Sequence, residues 1–274
     1  MNLFLMAAIV IAAAAVSVGV MLVVRRSIRR EATLQELDSR VPTVFAFVST
    51  AFAVLLAFVV FEAFENYDKA REGADNEAVA VIQISRTADG FAPAQRNAFE
   101  GLLTCYARAV VYHDWPAMKE GHASSKEVDL WSLRMRQAML HIKTDTDLRY
   151  ISFFQLMEEQ DKRTEARETR EAQAGRNVPG PMWFVLVLGA LLTTAGAILY
   201  VARRGSSILV QGALVASVAA IAAASLLLVV FLDSPYQGAP GSLEPVQMKR
   251  AIATMEEQQH VASAPCTRTG EPLT

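Results

Sequence analysis

Four long apolar runs constrain this chain more than any other feature. They cover about residues 3–24, 41–64, 182–201 and 208–232. At 1.5 Å of rise per residue, each is long enough to cross a hydrocarbon core about 30 Å thick as a helix. The first run carries no charge from Leu3 to Val24 and is stopped by Arg25 and Arg26. No basic residue precedes it, and it exceeds the usual apolar segment of a secretory signal, so a retained span is expected. The second opens on Pro42, where a missing N–H costs least, and Glu62 and Glu65 close it. The third follows the breaker Pro179-Gly180-Pro181, and the fourth ends at Asp233-Ser234-Pro235. One such run could be a buried core helix; four predict an all-α integral membrane protein with four transmembrane helices.

Between the second and third runs lies a polar insert, about residues 65–178, with no strand alternation. The second helix is expected to continue into it, since Glu65 to Ser85 holds no proline. Pro93 opens an amphipathic helix carrying Phe99, Leu102, Leu103, Tyr106 and Val110 on one face. Trp115-Pro116 and Gly121 interrupt it. Ser124 with Glu127 and Thr144 with Asp147 read as caps for two further helices. The stretch Glu158–Arg176 alternates in charge, the pattern of a solvated or inter-subunit surface. After residue 234 a short amphipathic helix is expected at Met248, Ile252 and Met255, followed by disorder from about residue 263.

Small residues recur every four positions at Gly212, Ala216, Ala220 and Ala224 in the fourth run, and at Gly189, Thr193 and Ala197 in the third. Such spacing lets helix backbones approach closely in lipid. Arginine placement sets the sidedness. Arg25, Arg26, Arg29, Arg30 and Arg40 follow the first run, and Arg203 and Arg204 lie between the third and fourth. The positive-inside rule puts the loops at 25–40 and 202–206 in the cytoplasm, with the insert and both termini outside. Cys105 and Cys266 then share an oxidising compartment where pairing is possible.

Enzyme signals are absent: no phosphate loop, no nucleophile elbow and no paired metal-ligand histidines. His113, Asp114 and His122 flank one turn, but their spacing matches no standard metal site, so no cofactor or metal is expected. A net charge of −2 leaves no basic excess for nucleic acid. The second run is the candidate functional element. It is rich in phenylalanine, and in an oligomer Phe52 or Phe58 would form a dewetting constriction, with Glu62 and Glu65 as acidic rings at its mouth. Phe52 and Phe58 are six positions apart, so at most one of them faces a central axis.

Several stretches together resemble the bacterial bestrophin-like four-helix family. They are Phe52-Ala53-Val54-Leu55-Leu56-Ala57-Phe58, Tyr67-Asp68-Lys69-Ala70, Tyr106-Ala107-Arg108, Asp114-Trp115-Pro116-Ala117-Met118 and Asp233-Ser234-Pro235-Tyr236-Gln237-Gly238. The resemblance spans about residues 41–252 and implies a homo-oligomer, a pentamer in bestrophins, in the lipid bilayer. It implies an ion channel whose pore is lined by the second helix; animal bestrophins pass anions, and some bacterial relatives pass cations. The acidic pair at the mouth favours cations here. Bestrophins keep their soluble region in the cytoplasm, whereas the arginine count of this chain argues the reverse. The competing expectation is a non-conducting membrane scaffold whose insert binds a partner.

Overall fold

A computed structural model describes residues 3–28, 41–202, 207–258 and 264–273. Among these, helices account for nearly all regular structure, and one isolated bridge pairs Cys266 with Pro272. The elements are α1 (Leu3–Ile28), α2 (Val41–Ala88), α3 (Pro93–Ala109), a π-helical turn (Val110–Asp114), α4 (Trp115–Lys119), α5 (Lys126–Met139), α6 (Asp147–Ala172), α7 (Gly180–Ala202), α8 (Ile208–Leu232) and α9 (Val246–Gln258). Helices α1, α2, α7 and α8 are each long and apolar enough to cross a membrane. The chain is an all-α integral membrane protein.

The contacts divide it into two units. The first comprises residues 1–65 and 176–233 and holds α1, the first part of α2, α7 and α8. Its helices meet through small apolar clusters. Met21 of α1 packs with Ile198 and Val201 of α7 and Val215 of α8. Phe52 and Val59 of α2 pack with Leu186 and Ala190 of α7 and with Ala222 and Val229 of α8. The α2–α7 contact works as two knobs in two notches. A Cβ on Gly189 would lie 2.3 Å from the Phe52 ring, and one on Gly196 would lie 2.5 Å from the Phe45 ring. Phe45 and Phe52 are seven residues apart, as are Gly189 and Gly196, so both pairs fall in one antiparallel seam.

On α8 the buried line is Gln211, Val215, Ala219 and Ala222. Gly212, Ala216 and Ala220 sit half-buried beside that line, and Ala224 is exposed. Gly212 makes ordinary contact with Val18 of α1, 3.8 Å from the place of a Cβ. Of the arginine loops, residues 29–40 and 203–206 lie outside the described residues. Arg25 is described, and its guanidinium donates to Gln211 Oε1 at 3.1 Å.

The second unit comprises residues 66–175 and 234–274. Helix α2 does run on into it, with Gly73 as its only glycine. There the α6 backbone comes so close that a Cβ would stand 2.8 Å from Arg170 N. Trp115-Pro116 does not break the α3 rod. The chain passes through the π-turn, in which Trp115 N–H reaches back to Val110 O, straight into α4. Proline is accommodated because it falls in the first turn of α4. The caps lie close to the expected ones: Ser125 rather than Ser124 receives Val128 N–H, and Thr146 rather than Thr144 receives Arg149 N–H.

The segment expected to be disordered is instead built into this unit where it is described. Residues 264–273 form a strap across α3 and α5. A disulfide joins Cys266 to Cys105 on α3. Trp131 Nε1 donates to Gly270 O at 2.6 Å. Gly270 takes a positive φ and lies so near the α3 backbone that a Cβ would stand 2.5 Å from Ala109 N. Only glycine satisfies both conditions.

Candidate functional site

Within the first unit, the two sides of α2 have opposite fates. Phe52, Val59 and Ala63 are buried. Phe47, Val54, Phe58 and Phe61 are exposed, and Glu62 lies beside them, exposed as well. At about 100° per residue, Phe47, Phe58 and Glu65 fall within about 20° of one another, and Glu62 about 40° from Phe58. Phe52 stands about 120° away from Phe58. It is 8% exposed against 70% for Phe58. Of the two aromatic candidates, Phe52 therefore faces α7, and Phe58 faces away from every described helix of its own unit. Glu65 is half-buried on the Phe58 side. The Phe58 face is an uncovered apolar strip ending in carboxylates.

The second unit contains an ionic cluster that sequence patterning did not show. Arg170 of α6 is fully buried, as are Glu77 of α2 and Asp114 of the π-turn. Its Nε donates to Glu77 Oε2 at 2.5 Å and its Nη2 to Asp114 Oδ2 at 2.8 Å. Asp114 also accepts the Ser125 N–H at 2.7 Å, and the Tyr106 hydroxyl donates to Glu77 Oε1. The Tyr236 hydroxyl is shared between the carbonyls of Ala70 and Arg170, at 3.2 and 3.3 Å. Trp115 meets the Tyr236 ring edge-on, and its Nε1 donates to Leu243 O at 3.1 Å.

Burial alone would strip Arg170 of its proton more easily, but Glu77 and Asp114 outweigh it and hold the guanidinium's pKa above its ordinary value. Burial drives the Tyr106 and Tyr236 hydroxyls up from the usual tyrosine range. The chemistry is structural. Each acid's charge is answered by a donor, and no group is left open to a substrate.

The residues that carried the family resemblance fall into place around these features. Tyr106, Asp114, Trp115, Met118 and Tyr236 line the ionic cluster. Asp233 belongs to the first unit, where its Oδ1 accepts the N–H groups of Asn177 and Val178 at 2.8 and 2.9 Å, fixing the entry to α7. His113 sits 3.9 Å from Glu127. Among the described residues, no three His, Cys, Asp or Glu side chains are grouped to hold a metal.

The profile of the Bestrophin-like domain matches residues 11–241. A search of curated protein sequences finds no match. Among solved structures, a single-substitution variant of a bacterial bestrophin homologue from Klebsiella pneumoniae superposes with a TM-score of 0.72. It is 13% identical, with 90% of this chain and 99% of that one covered. The same homologue solved by zinc phasing gives 0.67 at 11% identity, covering 98% and 99%. A structure described as a membrane protein variant gives 0.70 at 13% identity, covering 96% and 100%. With more than half of its length matched by one domain profile, the chain belongs to the bestrophin-like family.

Proposed function

We propose that this chain is one subunit of a homo-oligomeric ion channel, pentameric as the family resemblance implies, with α2 lining the pore. The observation that carries this reading is the uncovered strip of Phe47, Val54, Phe58 and Phe61 on α2. A ring of such strips makes an apolar constriction that holds back water and ions when narrow. Phe58 is the constriction residue we favour, because the Phe52 ring is occupied by Gly189. Glu62 and Glu65 follow at the end of the strip and would concentrate cations there.

The test is flux from sealed liposomes under opposed sodium and chloride gradients. A reversal potential toward sodium supports both the channel and its acidic mouth. One toward chloride keeps the channel and discards that mouth. Phe58→Ala is expected to raise conductance and Phe52→Ala to leave it nearly unchanged. No flux in the wild type and in both variants, with insertion and oligomerisation demonstrated, sinks the channel reading.

We also infer that the helical unit faces the oxidising side of a bacterial inner membrane, with the loops at 25–40 and 202–206 in the cytoplasm. The Cys105–Cys266 disulfide supports this sidedness, because cytosolic thiols are kept reduced. Intact cells should yield a protein that resists thiol alkylation until reduced. Full alkylation without reductant would reverse the orientation. A second reading, a scaffold, is favoured by one surface: Leu148, Tyr150, Ile151 and Phe154 of α6 are all exposed. A purified protein that stays monomeric and conducts nothing would turn the assignment to it.

A further inference from the structure

A groove of ≈ 410 Å³ between α2 and α6 is lined by Glu72, Glu159 and Glu165 together with Lys162, and holds nothing beyond a solvated charge cluster. A second groove, of ≈ 500 Å³, is different. Its walls come from the end of α3 with the π-turn, from α9, and from the strap at 264–273. Arg108, Lys249 and Arg268 converge on it, and Glu256 is the one carboxylate in its lining. Glu256 is already engaged, accepting from Arg108 Nη2 at 2.8 Å. Among the described residues neither Lys249 nor Arg268 pairs with an acid. Two positive charges therefore share one concavity without compensation. The remaining lining is apolar or aromatic: Val111, Ile252 and the half-exposed ring of Tyr112.

One wall of this groove is an irregular stretch of backbone. Val111 and Tyr112 belong to the π-turn, an insertion that weakens a helix and recurs at functional sites. Its extra residue sends Asp114 inward to Arg170 and leaves Tyr112 facing outward. Arg268 is held opposite by the Cys105–Cys266 bridge two residues away, and Arg108 pins the same strap through Thr267 O at 3.2 Å.

We propose that this groove binds a small organic anion, a phosphate or carboxylate carried on an apolar body. Lys249 supplies a mobile point charge and Arg268 a planar fork, the pairing suited to an anionic head. Tyr112, Val111 and Ile252 receive the apolar part, and the volume is that of a small-molecule site. The proposal does not depend on ion conduction, since every residue it uses lies in the helical unit.

The experiment is calorimetric titration of the full chain in non-ionic detergent, disulfide intact. The probes are phenyl phosphate, inorganic phosphate and dihexanoyl phosphatidic acid. Phenyl phosphate should bind saturably, roughly tenfold tighter than inorganic phosphate if the Tyr112 wall contributes. The double variant Lys249→Gln, Arg268→Gln should lose about tenfold or more without a change in melting temperature, since each exposed cation contributes little to folding but a charge-assisted bond to the ligand. Tyr112→Ala should bring phenyl phosphate down to the level of inorganic phosphate. Tighter binding of the phosphatidate, with the same losses, supports the groove and names a lipid headgroup as the source of the anion. Failure of both organic phosphates to saturate overturns the proposal, as does binding that the double variant leaves unchanged.

Discussion

Arg170 is fully buried between the carboxylates of Glu77 and Asp114. Its two carboxylate partners are as deeply buried as it is, so removing it strands two negative charges. Arg170→Met should destabilise the helical unit by about 3–5 kcal/mol, read by chemical denaturation of the full chain in detergent. Loss of less than about 1 kcal/mol would mean that Glu77 and Asp114 reach water. The tyrosines set a limit at the other end of the pH scale. Tyr106 and Tyr236 have pKa values raised in the folded state. Their contribution is complete below the unfolded tyrosine value of about 10 and is lost as pH rises above it. Melting temperature should therefore fall above about pH 10, and the tyrosinate absorbance of these two should appear only with unfolding. A phenylalanine at both positions should flatten that alkaline slope. The family resemblance named Tyr106, Asp114 and Tyr236, but nothing in the sequence pattern joined them to Arg170. Gln160, Arg163, Ala166 and Arg170 form one buried face of α6, spaced as a helix face should be, but polar at three of the four positions. A reading that looks for apolar periodicity sees there only a charge run.

At the scale of elements, the seam between α2 and α7 is the most exacting. Gly189→Ala places a methyl 2.3 Å from the Phe52 ring, so the ring or the helix must move. An overpacking cost of about 1–3 kcal/mol is expected, with lower thermal stability in detergent. Adding Phe52→Leu should recover much of the loss, because the two positions share one contact and their effects cannot be additive. Equal losses in the single and double variants would deny the contact. The four-residue spacing singled out Gly189 but not Gly196, and it gave no sign of the rings that the two glycines admit. On α8 the fully buried line passes through Gln211, Val215 and Ala219, and the small-residue stripe lies half-buried one position further on, at Gly212, Ala216 and Ala220. The helix is apolar almost throughout, so no periodicity selects a face, and the choice falls to the neighbouring helices. The long α2 and the amphipathic α9 were plain, because an absence of prolines and a repeating apolar edge are local signals.

For the molecule as a whole, the four apolar runs announce the membrane class without help from any fold. The closure of the helical unit could not be read so directly, because it unites segments separated by two membrane helices. Cys105 and Cys266 are 161 residues apart in sequence, yet bonded. Cys105→Ser with Cys266→Ser should cost about 2–4 kcal/mol and release the strap, visible as faster proteolysis near residue 266. An unchanged melting temperature would show that Gly270 and Trp131 hold the strap unaided. The strap also imposes a chronology on biogenesis. During synthesis α3 emerges long before α7 and α8, and its cysteine must wait as a thiol while both later helices enter the bilayer. Only a chain translated through residue 266 can close the bond, so an interrupted product carries a free thiol on an unfinished core.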